Sequence, residues 1–324
     1  NSQIGGRRNI IINGGMQVAQ RGTSSTGLGA TTGYYTLDRF NMYFAGTAGR
    51  LTMTQTADGP SGFANCLKLE CTTADTSIAA AEQVMLMYRI EGQDLQQLKK
   101  GTSDAEKVTL SFYVKGNASA TYIAELMDGD NSARHVNASF NVTTDWTRVV
   151  ITFPADTTGT LDDDNAASID LHIHLHNGSN YTSGTLQTTW GSLAQTNRGV
   201  GGTSFFDSTD RTFFITGVQL EVGEQATPFE HRSFGEELAL CQRYFIEDDT
   251  VYRAYLNASG DSGSRGCNFY FPTIMRAVPS MTAAVDAGTV TFSSRTTNGV
   301  GMSVGGTVSG NTTFTSGYTA DSEL

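Results

Sequence analysis

Apolar and polar residues alternate along most of this chain with a period of two. Residues 108–115 put Val108, Leu110, Phe112 and Val114 on one face, with Thr109, Ser111, Tyr113 and Lys115 on the other. Residues 135–142 set Val136, Ala138, Phe140 and Val142 against His135, Asn137, Ser139 and Asn141, and residues 147–153 turn Val149, Ile151 and Phe153 inward. In 169–176, Ile169, Leu171, Ile173 and Leu175 alternate with Asp170, His172, His174 and His176. This period marks strands buried on one face and wet on the other, so the three histidines are expected at the solvent. Turn signals separate the runs, among them Lys115-Gly116-Asn117, Asp128-Gly129-Asp130-Asn131 and Thr143-Thr144-Asp145. Many short strands at this spacing predict an all-β antiparallel sandwich or barrel.

Helical spacing is confined to two places. Asp94 to Lys100 predicts a short helix with Leu95 and Leu98 inward and Gly101 closing it. Ser233 and Glu236 form a capping box, and Phe234, Leu238, Cys241 and Phe245 follow on one stripe. This connecting helix, 233–245, divides an N-terminal linker (1–8) and large β domain (9–232) from a small C-terminal β tip (246–324), where strands shorten and charges thin out. No repeat of 20–50 residues is present, which argues against a β-helix.

Composition narrows the function classes. The 324 residues carry 21 basic and 32 acidic side chains, a net charge of −11, which excludes a whole-surface electrostatic grip on nucleic acid or anionic lipid. With 17 Phe, 12 Tyr and 2 Trp there is ample core material, and no apolar run nears the roughly 18 residues of a membrane helix. The start lacks both Met and a signal-like apolar stretch, so Asn1 is read as an internal point of a longer polypeptide. Cys66, Cys71, Cys241 and Cys267 have no zinc-like spacing, and buried reduced thiols are expected.

Two stretches carry a resemblance. Asn9-Ile10-Ile11-Ile12-Asn13-Gly14 and the following Gly15-Met16-Gln17 resemble the opening strand of jelly-roll carbohydrate-binding modules. Phe213 to Gly223, then Ala226-Thr227-Pro228-Phe229-Glu230 and Cys241-Gln242-Arg243-Tyr244-Phe245, are similar to the closing strand and exit of bacteriophage tail-fibre proteins. Arg89-Ile90-Glu91-Gly92, Val108 to Gly116 and Asp145-Trp146-Thr147-Arg148 look like the same group, and Thr319 to Leu324 resembles its common ending. The resemblance implies a jelly roll in a virion tail protein, assembled in the host cytoplasm, that forms a homotrimer with other tail proteins as neighbours. Its implied task is non-catalytic attachment to bacterial cell-surface glycan. Two alternatives stay open: a structural fibre or head-decoration subunit, and a glycan-binding accessory module of a polysaccharide hydrolase. Many such modules hold calcium on acidic residues of the opening stretch and the last strand. Here Gly15, Gln17 and Thr216-Gly217 stand there, so neither a metal nor another cofactor is expected.

The side chains agree with a non-enzyme. There is no G-x-S-x-G, H-E-x-x-H or phosphate-binding loop, and no carboxylate pair announces itself. His172, His174 and His176 could share a metal in pairs, but no further ligand pattern accompanies them, and solvent-facing histidines are preferred. Asp162-Asp163-Asp164 reads as a solvated turn. Trp146, at a strand entry, is assigned to the core. A long polar loop from 177 to about 204 contains Tyr181 and Trp190, the candidates for stacking on sugar rings, with Trp190 folding back as a loop anchor as the equal alternative. Asp128, Asp130 and Arg134 are their candidate hydrogen-bonding partners.

Overall fold

A computed structural model describes residues 8–256, 265–283, 289–305 and 312–324; most of the expected linker 1–8 lies outside this range. Two compact units divide the chain between Ser233 and Phe234. The strands of the first unit are β1 (Ser24–Leu28), β2 (Gly33–Tyr34), β3 (Asn41–Ala45), β4 (Arg50–Thr56), β5 (Cys66–Thr73), β6 (Gln83–Glu91) and β7 (Val108–Gly116). They continue with β8 (Ala120–Asp128), β9 (Arg134–Val142), β10 (Thr147–Phe153), β11 (Ala167–Asn177), β12 (Gly191–Ser192) and β13 (Thr212–Val222). One sheet runs β1-β4-β5-β13-β7-β10 and the other β12-β9-β8-β11-β6-β3-β2, with antiparallel pairing throughout. The chain crosses repeatedly between the sheets, so β13 is inserted between β5 and β7, and β11 between β8 and β6. This is a jelly-roll sandwich.

The period-two pattern builds its core. Leu110, Phe112 and Val114 of β7 and Phe213, Ile215 and Leu220 of β13 are buried from one sheet; Tyr122, Ala124 and Leu126 of β8 and Leu171 and Ile173 of β11 are buried from the other. Rings interlock across the gap, with Phe112 and Phe140 edge to face at 5.0 Å and Tyr122 and Phe213 at 5.4 Å. Each side chain of this size, fully buried, contributes about 1.5–3 kcal/mol. Cys66 and Cys71 are buried free thiols, pushed up to about 11 chiefly by burial. Cys241 is buried, and the Cys267 side chain lies outside the described residues.

Three local expectations are corrected. Asn9 to Gly14 forms no regular strand. It lies beside the irregular stretch of β13, where Ile10 N donates to Leu220 O (3.0 Å) and the Asn9 side chain bridges Leu220 N and Val218 O. Gly14 is required there, because a Cβ would sit 2.0 Å from Val218 O. The 94–100 helix is instead a pair of 3₁₀ turns, Gly92–Asp94 and Gln96–Leu98, with Leu95 and Leu98 buried as expected. Trp146 is only partly buried. It packs edge-on against Phe214 under the Lys115 ammonium, on the sheet face turned away from the core.

Between β11 and β13 the chain makes α1 (Ser179–Thr182), β12 and a 3₁₀ turn at Gln195–Asn197. The second unit opens with α2 (Phe234–Gln242), whose Phe234 is exposed although Cys241 is buried, so the expected stripe is only partly inward. Its strands are β14 (Phe245–Leu256), β15 (Arg265–Tyr270), β16 (Ser280–Ala283), β17 (Thr289–Ser293), β18 (Gly299–Gly305) and β19 (Thr312–Asp321). They form two three-stranded sheets, β14-β19-β16 and β15-β18-β17. Ile246, Phe271, Met275, Val300, Tyr318 and Ala320 make its core.

Candidate functional site

The register of the seven-stranded sheet places Asn137, Glu125, His172 and Met87 in one row across β9, β8, β11 and β6, and Ile123, His174 and Met85 in the next. These side chains point away from the core. The solvent expected over them is replaced by the strap 178–204. Arg198 reaches down from the strap to Glu125, Ala194 N donates to His135 Nε2 (3.3 Å), Asn137 N donates to Gln187 O (2.7 Å), and Thr203 N donates to Thr121 O (2.7 Å). His172, His174 and His176 are therefore buried, at 1%, 1% and 0% exposure. The wet-face reading of this strand is overturned: β11 is central in its sheet and covered on both sides.

Glu125, with no exposed surface, is the hub. Its carboxylate faces His135 Nδ1 (2.9 Å), His172 Nδ1 (2.7 Å), His174 Nε2 (3.0 Å) and the Arg198 guanidinium (Nη2, 2.6 Å). Burial alone would raise its pKa, but the charge of His174 and the bonds from the three histidines hold it well below the usual carboxylate range. For His172, burial is outweighed by Asp170 and Glu125, and its pKa is raised; His174 is pushed down, first by burial. Glu125, His172 and His174 have metal-ligand spacing, yet Arg198 already supplies the positive charge on the same carboxylate oxygen that both imidazoles face.

The other candidate residues gather at one end of the sandwich, where the structure gives them internal tasks. Asp128 is fully buried, which corrects its assignment as a surface acceptor. It takes the Lys100 ammonium, the backbone N–H of Asp130 (2.9 Å) and the Asn131 side chain (2.9 Å). Arg134 is likewise committed, gripping Asp156 through Nε and Nη2, both at 2.9 Å, and Lys100 lies 3.1 Å from the same Asp156. The two cations hold Asp156 below the usual carboxylate range against the upward push of burial. Asp130 accepts from Asp162 N (3.1 Å) and stays half-exposed. Trp190 is half-buried. Its indole N–H donates to Pro154 O (2.9 Å), and Lys100 Nζ sits 5.3 Å from the ring centre. Beside it a narrow crevice runs between Trp190, Pro154, Lys100, Asp156 and Glu106 down to the core residues Leu98, Val108, Leu126 and Leu220. Tyr181 is set apart from this group: it belongs to α1, where its carbonyl accepts from Gly199 N (2.8 Å). Lys100 and Asp156 lie in no motif, and nothing local in the sequence marks them as partners of Asp128 and Arg134.

No family model and no curated protein matches the chain. Solved structures give likenesses of fold. One, described as "CBM4 structure and function", is 14% identical over 57% of this chain and 87% of that one, with a TM-score of 0.33. A family 11 carbohydrate-binding module from Clostridium thermocellum, in complex with a mixed-linked tetrasaccharide, is 13% identical over 63% and 98%, with a TM-score of 0.33. The enzymatically active domain of bacteriophage CBA120 tailspike protein 4 is 11% identical over 66% of this chain and 21% of that one, with a TM-score of 0.34. The jelly-roll assignment itself rests on the strand order described above.

Proposed function

We propose that this chain is a non-catalytic, glycan-binding protein of a virion tail fibre that attaches to bacterial surfaces as a homotrimer. The observation that carries the reading is Trp190: a half-buried indole pinned by Pro154 O and Lys100, with exposed Glu106 lining the same crevice. A rigid aromatic face loses little entropy on binding and offers an apolar platform to the C–H face of a sugar ring, while the nearby carboxylate takes hydroxyl hydrogens. The internal bonds of Asp128, Arg134, Asp156 and Lys100 fit this role as a scaffold that fixes the indole. Tail-fibre resemblance in the sequence supports the virion setting.

The test is binding of the full chain to an immobilised panel of bacterial surface polysaccharides. Trp190→Ala should weaken the bound partner at least tenfold with little change in Tm, because the indole is only half-buried. Tyr181→Ala should leave that binding within twofold. Equal binding by Trp190→Ala and the parent would remove the site.

A further inference from the structure

A second cluster lies where the loop between β5 and β6 meets the end of β11. Asp75, Glu82 and His176 are buried at 6%, 6% and 0% exposure, and their ligand-capable atoms all lie within 4.8 Å of one another. His176 is separated from His172 and His174 by an irregular step in the β11–β6 register, which turns it to a different set of partners. From this geometry we propose that Asp75, Glu82 and His176 bind one divalent transition-metal ion, of the Zn²⁺ or Mn²⁺ class, through two carboxylates and one imidazole.

Each ligand is already oriented from behind. Asp75 Oδ2 accepts from Thr47 Oγ1 (2.9 Å) and Ala48 N (2.8 Å), which leaves its other oxygen for the cluster. Ser204 Oγ sits 2.7 Å from His176 Nδ1 and itself accepts from Phe206 N (3.1 Å), directing Nε2 to within 3.0 Å of Glu82 Oε2. The backbone around Glu82 is tied by Glu82 N to Ala79 O (3.1 Å) and by Gly178 N to Glu82 O (2.7 Å). Outer-sphere bonds of this kind are how metal sites fix the tautomer and direction of their ligands.

Charge is the second, independent argument. Two carboxylates meet here out of water, which is costly unless something positive lies between them or a proton is shared. Glu125 is paired with Arg198, and Asp128 and Asp156 with Lys100, whereas Glu221 is satisfied by hydrogen bonds from Gln219 and Thr227. Among the described residues no lysine or arginine lies within ion-pair distance of Asp75 or Glu82, and His176, with Nε2 3.0 Å from Glu82 Oε2, is the cationic candidate beside them. Arg50, paired across β4 and β5 with Thr73, turns its guanidinium to Thr47 O and Gly49 O instead. A divalent ion balances the pair, and the mixed oxygen and nitrogen donors favour a transition metal over calcium. Bound there, it would tie the β5–β6 loop to β11 next to Ser204, where the strap ends.

The experiment uses the full chain stripped with a chelator and titrated with ZnCl₂, MnCl₂ or CaCl₂ by calorimetry and thermal melts. One ion per chain is expected for Zn²⁺ or Mn²⁺, with a rise in Tm of several degrees and at least tenfold weaker binding of Ca²⁺. Glu82→Gln keeps the shape and a hydrogen bond to Asp75, so it should melt near the stripped parent while losing tenfold or more in Zn²⁺ affinity. Absence of saturable binding would overturn the proposal. So would one-to-one binding that survives Glu82→Gln but is lost in His172→Gln, which would put the ion at Glu125.

Discussion

Glu125 is a carboxylate without solvent, and its neighbours decide how the sandwich responds to acid. His174 is pushed below its ordinary 6.5, first by burial, so the unfolded chain takes up a proton that the folded chain refuses. Its contribution therefore falls as pH drops below about 6.5. His172 has the opposite sign. Burial pushes it down, but Asp170 and Glu125 raise it above 6.5, so its contribution is complete below 6.5 and is lost as pH rises through the folded value. The two histidines oppose each other on one carboxylate. His172→Gln should steepen the loss of Tm between pH 7 and pH 5, and His174→Gln should flatten it. Parallel slopes for the parent and both variants, in melts across that range, would show that the pair does not titrate in this way.

The strap is the element that turns this sheet face from wet to dry, and Arg198 is its anchor. Replacing Arg198 with Met leaves Glu125 buried without its guanidinium, at a cost of about 3–5 kcal/mol. The strap should open before the sandwich melts, seen as faster amide exchange at Asn137 and Thr203 or as proteolysis within 178–204. Exchange there that stays as slow as in the core strands would assign the strap's hold to backbone bonds alone. The strap also explains what the sequence could and could not tell. Strands β7, β9, β10 and β11 were legible within a residue or two, because alternation is local. The burial of His172, His174 and His176 was not, since polar residues facing a polar loop look the same as polar residues facing water. Asp128 and Arg134 carried a related ambiguity: a turn rich in carboxylates gives no hint that Lys100 and Asp156, 28 residues before Asp128 and 22 after Arg134, will consume them. Trp190 was legible as a loop aromatic, but its pinning by Pro154 O depends on a contact 36 residues away.

At the scale of the whole molecule, the two units differ in how well each satisfies itself. The jelly roll buries long runs from both sheets. Among the described residues of the C-terminal unit, Tyr270 at 84%, Ile274 at 62% and Val278 at 56% exposure lie within nine positions of one another. Small units bury a smaller share of their surface, and exposed apolar clusters of this kind mark contact surfaces. A net charge of −11 works against casual association, so any stable oligomer must be held by local apolar contacts rather than by general attraction. Self-association through this cluster would join copies into the trimer proposed for a fibre, and three weak glycan sites on one particle gain avidity without any new contact to sugar. Light scattering on the full chain should then give three times 34.6 kDa, and Ile274→Asp should return it to 34.6 kDa without altering the melt of the jelly roll. In the monomeric variant, cell-surface binding should fall by tenfold or more while the affinity for a single soluble oligosaccharide stays unchanged. A parent chain that is itself monomeric at micromolar concentration would separate the glycan-binding reading from the trimer, leaving Trp190 to act alone.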